Sequence, residues 1–120
     1  MAHAAQPRIL IVEDEMLVAM LVEEMVQELG YQVVGPAMTL DKALQLIEQA
    51  PFDCAILDIN LGHGVISAPI AQKLEARGIP FLYASGYGSK EAIDGIGERI
   101  ILKKPFLPQD LDRALRLLLS

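Results

Sequence analysis

Charged and hydroxyl side chains follow several short apolar runs in this sequence, at the points where each run stops. The first run ends in Glu13 and Asp14, and a later one ends in Asp58. Two further runs end in Ser85 and Lys104. Carboxylates, a hydroxyl and an ammonium are the groups that can hold a hard cation and a phosphoryl group side by side. These residues therefore have the types needed for phosphoryl transfer, provided that the fold brings them together.

The chemistry predicted for such a cluster is reversible phosphorylation of Asp58. Like charges brought together repel, so the carboxylates require a cation among them, and oxygen ligands select Mg²⁺. A carboxylate beside Mg²⁺ and a lysine can act as a phosphoryl acceptor. Lys104 would neutralise charge on the phosphoryl oxygens, and Ser85 would donate a hydrogen bond to them. Each residue alone also fits a helix cap or a turn, so the prediction rests on their joint occurrence.

The elements that must position these residues alternate along the chain. Short apolar runs, typical of strands buried on both faces, are followed by segments whose apolar residues recur with helical period. Such alternation predicts an α/β fold with a parallel sheet and helices on both faces. In such a fold, ligands bind outside the carboxyl ends of the strands. The predicted strands are residues 9–12, 31–34, 54–57, 80–84 and 99–102.

Helical period and capping residues predict the segments between the strands. The first helix is expected to turn one apolar stripe toward the core, made of Leu17, Val18, Leu21, Val22, Met25 and Leu29. Thr39 and Ser67 are predicted to cap the second and third helices. Residues 89–98 contain two glycines and few apolar residues, which predicts at most two helical turns. The last helix is predicted to start near residue 108 and to turn three leucines inward, Leu111, Leu115 and Leu118.

Length, charge and cysteine content exclude several classes of protein. With 120 residues the chain suits one domain, predicted as residues 8–120 behind a disordered tail of residues 1–7. Ten basic against sixteen acidic residues disfavour nucleic acid as a partner. One cysteine cannot form an internal disulfide, and no apolar stretch of about 18 residues is present to span a membrane. The N-terminus does not have the pattern of a signal peptide, so we expect a cytoplasmic protein.

Four segments in order, ILIVEDE, AILDINL, FLYASGYG and ILKKPF, together resemble the receiver domain of two-component response regulators. The resemblance covers residues 8–118, and it implies a flavodoxin-like, doubly wound (βα)5 fold with a parallel sheet of strand order 2-1-3-4-5. It also implies that Lys104 rather than Lys103 is the site lysine, and that the bond between Lys104 and Pro105 is cis.

The resemblance assigns a role to each candidate site residue. Glu13, Asp14 and Asp58 would hold Mg²⁺, with the backbone carbonyl of Asn60 as a further ligand. Asp58 would be the phosphoacceptor, while Lys104 and the hydroxyl of the fourth strand, Ser85, would bind the phosphoryl group. The implied function is to take a phosphoryl group from a phosphohistidine and to signal through a phosphorylation-dependent surface. Such a chain catalyses its own phosphotransfer and dephosphorylation and is not otherwise an enzyme.

Two departures from the usual receiver pattern indicate how the switch and the partners of this chain differ from those of most receivers. Ile101 stands where most receivers carry an aromatic switch residue. The motif from Tyr83 to Gly88 is similar to the Phe-Ala-Thr-Gly-hydrophobic-Gly motif of a subfamily of single-domain receivers. That similarity implies a sensor histidine kinase, of the HWE or a related class, or a histidine phosphotransfer protein as the donor. A downstream protein would bind the face made by the segment after the fourth strand with the fifth strand and the last helix. A homodimer through the face of the fourth strand and the last helix is also left open.

Other functions remain open at this point. The chain could be an interaction module that is not phosphorylated, a phosphate sink, or a flavodoxin-like flavin carrier. It could also be a small aspartyl-phosphate hydrolase, although such enzymes need a second Asp two residues after the first, where this chain has Asn60. No effector domain follows Ser120, so direct binding of nucleic acid is not expected unless the chain is part of a larger protein.

Overall fold

Five parallel strands form one sheet in the order β2-β1-β3-β4-β5, with helices on both faces. This is the flavodoxin-like order that the sequence resemblance implies. The computed structural model describes residues 6–62, 64–86 and 100–120. In chain order the elements are β1 (Arg8–Val12), α1 (Met16–Glu28), β2 (Gln32–Ala37), α2 (Leu40–Gln49), β3 (Cys54–Asp58), α3 (Ala68–Ala76), β4 (Phe81–Ser85), β5 (Ile101–Lys103) and α4 (Pro108–Leu119).

The central strands are buried on both faces, which explains why their sequences are continuous apolar runs. Every residue of β3 and of β4 is buried. Side chains alternate between the two faces of a strand, so Leu10 and Val12 pack in one core while Ile9 and Ile11 pack in the other. The first core includes the buried residues of α2 and α3, and the second includes Val22 and Val26 of α1 and the buried residues of α4. Leu111 and Leu115 are buried in this second core and Leu118 packs against it, as predicted.

The expected inward stripe of α1 was confirmed in part, since Val22 is buried and Val18, Met25 and Leu29 pack against the second core. It was wrong at two positions. Leu17 and Leu21 are 75% and 55% exposed, and the residues that α1 buries are Ala19, Val22 and Val26. The first two turns read MLVAMLV, which is apolar around the whole helix. Helical period therefore could not select the buried stripe there; packing against the sheet selects it.

Local backbone features agree with the sequence in two places and differ in two. Thr39 caps α2, since its hydroxyl accepts a hydrogen bond from the Lys42 N–H at 3.1 Å. The bond between Lys104 and Pro105 is cis, as the resemblance implies. Ser67 stands at the start of α3 but does not cap it, because its hydroxyl donates instead to the Ile59 carbonyl. The second strand was expected to stop before Gly35-Pro36 but runs through it to Ala37.

Several expectations fall outside the described residues. These are most of the disordered tail, at residues 1–5, the short helix at 89–98, the start of the fifth strand at Arg99, and the motif residues Tyr87 and Gly88. Within the part of the chain that the structure describes, each helix is too short or too polar to cross a lipid bilayer.

Candidate functional site

Strand register brings the carboxyl ends of four strands to one edge of the sheet. Val12 at the end of β1 lies opposite Leu57 of β3, so the residues that follow them, Glu13 and Asp58, leave the sheet side by side. Asp58 in turn pairs with Ala84 of β4, one residue before Ser85. The backbone N–H of Lys104, just after β5, donates to the Ser85 carbonyl at 2.7 Å. Parallel pairing alone therefore assembles the edge at which the site lies.

Three carboxylates form an acidic cluster at this edge, consisting of Glu13, Asp14 and Asp58. One oxygen from each lies within 4.8 Å of the others. Glu13 and Asp58 are only 3% and 6% exposed, and Asp14 is half-buried. The Oε2 atom of Glu13 is buried and has no hydrogen-bond partner among the described residues. A buried carboxylate oxygen without a donor is unfavourable, and a hard cation ligated by oxygens would satisfy it. The cluster therefore fits Mg²⁺.

Lys104 is the cation that the chain itself supplies to the cluster. Its Nζ contacts the Oε1 of Glu13 and lies 3.4 Å from the Oδ2 of Asp58. Burial of the ammonium opposes its charge, but the hydrogen bond to Glu13 and the charges of both carboxylates raise the pKa of Lys104. The preceding Lys103 is exposed. Of the two lysines, only Lys104 enters the site.

Burial and crowding change the protonation of the acids themselves. Burial first, and then the neighbouring carboxylate of Glu13, raise the pKa of Asp58 to about 7. Burial and then Asp58 raise the pKa of Asp14. Both shifts have burial as their first cause and a neighbouring carboxylate as the next, and a further positive charge beside Asp14 and Asp58 would oppose them.

The loop after β3 folds back over the cluster. The Asn60 N–H donates to the Oδ1 of Asp58 at 3.3 Å, and the Asn60 side-chain oxygen accepts from the Gly62 N–H at 3.0 Å. Asn60 also forms an antiparallel bridge with Ile66. The hydrogen bonds of this bridge are made by the residues on either side of Asn60 and Ile66. In such a pair the N–H and carbonyl of Asn60 both point away from Ile66. The carbonyl therefore lies on the same side as the Asp58 carboxylate.

Ser85 is placed less directly than the other candidates. It is 3% exposed at the end of β4 and does not line the open cleft beside the acids. Its connection to the site is the backbone hydrogen bond to Lys104. The neighbouring Gly86 lines the cleft instead.

The cleft above the acids has an apolar wall that the sequence did not reveal. Its volume is about 550 Å³, and Asp14, Asp58, Asn60 and Lys104 are among its polar lining. The opposite wall comes from α1 and from the segment after the site lysine, namely Val18, Leu21, Val22, Met25, Pro105 and Phe106. A helix face expected to be core is thus partly the wall of an open cleft.

Gly62 is a further site residue that sequence reasoning missed. Its φ is +83°, and a Cβ added there would lie 2.9 Å from the Oδ2 of Asp14. Glycine therefore lets the loop approach the acid closely. A glycine in the loop after Asp58 was a weak signal of this, but only the folded loop shows which acid it faces.

Comparison with known proteins agrees with this geometry. The profile of the response regulator receiver domain family matches residues 9–116. The transcriptional regulatory protein PdtaR of Mycobacterium tuberculosis is 34% identical to this chain over 126 residues. That alignment covers 99% of this chain but only 60% of PdtaR, so this chain spans about three fifths of the relative's length.

Two solved structures of a similar protein align over nearly the whole chain. The solution structure of SdrG from Sphingomonas melonis Fr1 has a TM-score of 0.85 and 42% identity. The BeF3-activated conformation of SdrG from Pseudomonas melonis Fr1 has a TM-score of 0.81 and 40% identity. Each alignment covers 98% of this chain and 100% of the other.

Replacing Glu13 with Gln should lower the pKa of Asp58 from about 7 toward its ordinary range. The substitution removes a neighbouring negative charge and frees Lys104 to pair with Asp58, although burial still holds the pKa up. NMR titration of the side-chain carboxyl carbon in metal-free protein measures this. Glu24→Gln, on the exposed side of α1, is the control and should leave the titration unchanged. An unaltered Asp58 titration in the Glu13 variant would contradict the electrostatic account.

Without a divalent cation, folding stability should fall as the pH rises from about 4 to about 7. Folded Asp58, with its pKa near 7, keeps a proton that the unfolded chain releases near its ordinary pKa of 3.8. Asp58→Asn removes this difference and should raise the free energy of unfolding at pH 8 by about 1 to 3 kcal/mol. At pH 4 the two proteins should have similar stability. Urea denaturation in EDTA at both pH values measures the difference, and equal stabilities at pH 8 would disprove it.

Proposed function

The chain belongs to the response regulator receiver domain family of two-component signalling, and on that basis we propose that Asp58 accepts a phosphoryl group from a phosphohistidine. The observation that carries the proposal is the acidic cluster itself. It combines a buried carboxylate oxygen that has no partner among the described residues with a lysine that contacts two of the acids. This combination suits the transfer of a doubly charged phosphoryl group better than it suits a structural ion pair.

In the proposed reaction an oxygen of Asp58 attacks the phosphorus of the donor. The new O–P bond forms as the bond from phosphorus to the donor's imidazole nitrogen breaks. That nitrogen keeps the electron pair, and the donor ring, protonated on its other nitrogen, leaves as neutral imidazole. The products are an aspartyl phosphate and a free histidine, and hydrolysis of the acyl phosphate later restores Asp58.

The surrounding residues support this step in different ways. Mg²⁺ held by Glu13, Asp14, Asp58 and the Asn60 carbonyl would supply positive charge that lowers the pKa of Asp58 and shields the phosphoryl oxygens. Lys104 reaches Asp58 and can pair with a phosphoryl oxygen there. We propose that the Ser85 hydroxyl becomes a donor to the phosphoryl group once the segment after β4 rearranges.

Two features weigh against the hydrolase alternative and favour the receiver function. The residue two positions after Asp58 is Asn60, whose side-chain oxygen accepts from Gly62 and supplies no carboxylate. SdrG, which shares the fold and 40% identity over its whole length, has a structure in a BeF3-activated conformation. Trifluoroberyllate resembles a phosphoryl group in shape and charge, and this similarity supports the phosphoryl site proposed here.

We further propose that residues 8–120 form the receiver unit and that its output surface lies on β5 and α4. Ile101, where other receivers carry an aromatic ring, is half-buried in β5. Rearrangement of the segment after Ser85 would therefore take the place of ring rotation, as expected for the glycine-containing motif subfamily. A downstream protein or a second copy of the chain would bind this surface, and the cytoplasm is the expected setting.

Incubation with acetyl phosphate and Mg²⁺ should add one phosphate to the chain that is stable to acid and labile to base. Asp58→Asn should abolish the label, and EDTA should prevent it. Lys104→Gln should slow labelling by about 100-fold, because the transferred charge loses its fixed partner. Asp53→Asn, at the other end of β3, is the matched control and should label like the wild type. Equal labelling of the Asp58 variant would refute the proposed function.

The donor protein is proposed to dock on an exposed apolar face of α1 beside the cleft. This face, called here the α1 face, consists of Met16, Leu17, Met20 and Leu21, which are between 55% and 75% exposed. Leu21 also lines the cleft that opens onto Asp58, so a helix lying on the α1 face would end near the phosphoacceptor. An apolar helix face of the kinase or histidine phosphotransfer protein fits this surface.

Leu17→Glu should slow phosphotransfer from the cognate kinase by about tenfold or more, since a buried apolar contact would become a charge. Labelling by acetyl phosphate, which needs no docking, should be unchanged. Phosphotransfer profiling against the kinases of the same genome identifies the donor for the assay. Leu117→Glu, at another exposed leucine on α4, is the control and should leave the transfer rate unchanged. If Leu17→Glu slows labelling by acetyl phosphate as much as it slows transfer from the kinase, the α1 face is not a docking surface.

A further inference from the structure

Gly35 interrupts β2 next to the strand that delivers the acids. From Leu10 to Val12, β1 advances two residues while its partner β2 advances three, from Val34 to Ala37. The extra residue makes a bulge at Gly35-Pro36, opposite Ile11. At Gly35 the φ angle is +95°, a backbone conformation that favours glycine.

The bulge determines which carbonyl of β2 meets the end of β1. Beyond it, the Ala37 carbonyl accepts a hydrogen bond from the Glu13 N–H at 3.0 Å. With a continuous register, Val12 would pair with Pro36 and this carbonyl would be one residue out of place. Glu13 is thus held at its backbone by β2 and at its carboxylate by Lys104.

A side chain at position 35 would press on the two backbone segments that lead to Glu13, namely β2 at Ala37 and β1 at Ile11. An added Cβ would lie 2.7 Å from the Ala37 nitrogen and 3.1 Å from the Ile11 carbonyl oxygen. Both are backbone atoms, which cannot rotate away as the end of a side chain can. Ala37 is fully buried in the core, so its backbone has no free space into which it could shift.

We propose that Gly35 is a positioning residue for the acidic cluster. Its missing side chain lets the bulge place the Ala37 carbonyl on the Glu13 N–H, and this contact fixes where the Glu13 carboxylate enters the cluster. The expected effect of Gly35 on Mg²⁺ binding rests on the proposed function. Its effect on the hydrogen bond between Glu13 and Ala37 can be tested without Mg²⁺.

The test compares Gly35→Ala with Gly30→Ala. Gly30 also has a φ of +95°, but a Cβ there would meet no atom of the described part of the chain within 4 Å. Both variants therefore place a side chain at the same positive φ, and only the first carries the collision beside Glu13. We expect Gly35→Ala to weaken Mg²⁺ binding by about tenfold or more, because a residue that positions a metal ligand is disturbed. Gly30→Ala should leave the Kd for Mg²⁺ unchanged. Gly35→Asn, which tolerates positive φ better but keeps the Cβ, should fold more stably than Gly35→Ala and bind Mg²⁺ as weakly.

Hydrogen exchange of the Glu13 amide in metal-free protein is the second measurement. It should be faster in both Gly35 variants and unchanged in Gly30→Ala. A wild-type Mg²⁺ Kd in Gly35→Ala, equal weakening in Gly30→Ala, or recovery in Gly35→Asn would overturn the proposal. If wild-type protein itself binds no Mg²⁺ that depends on Asp58, the proposed function fails, and the exchange rate of the Glu13 amide alone then decides the role of Gly35.

Discussion

Mutual repulsion among carboxylates held at a buried sheet edge governs the chemistry of this protein. Glu13 and Asp58 are almost fully buried with Asp14 beside them, and one lysine cannot neutralise all three. In water such charges would separate, but here each is fixed by the strand that ends in it. The raised pKa values of Asp58 and Asp14 are the direct consequence of this confinement. A divalent cation would neutralise the two negative charges that remain once Lys104 is counted against the three carboxylates.

The apolar strands make the confinement possible. β1, β3 and β4 are buried on both faces, so their ends can neither slide nor splay without exposing two cores. Parallel pairing then sets Glu13 beside Asp58 and ties Lys104 to Ser85 by a backbone hydrogen bond. The stability of the sheet thus offsets the repulsion at its edge. A fold held mainly by surface contacts would relieve the strain by moving the acids apart.

Most of the sheet and the acidic cluster could be predicted from sequence, because both follow from local pattern and chain order. The strands are continuous apolar runs, and parallel strands must present their carboxyl ends together. The predictions that failed depended on contacts between residues that lie far apart in the sequence. The buried stripe of α1 was misassigned at Leu17 because both sides of its first turns are apolar. The bulge at Gly35 and the approach of Gly62 to Asp14 depend on where another strand or loop lies, which no local pattern encodes.

Central to the proposed function is that a carboxylate oxygen of Asp58 accepts the phosphoryl group. The most direct measurement is reduction of the acetyl phosphate-treated protein with borohydride, followed by peptide mass spectrometry. Borohydride converts an aspartyl phosphate to homoserine and leaves free aspartate intact. The account predicts homoserine at position 58 in the Mg²⁺-treated protein and unmodified Asp58 when EDTA is present. Homoserine at Asp14 or Asp53, with Asp58 intact, would contradict it.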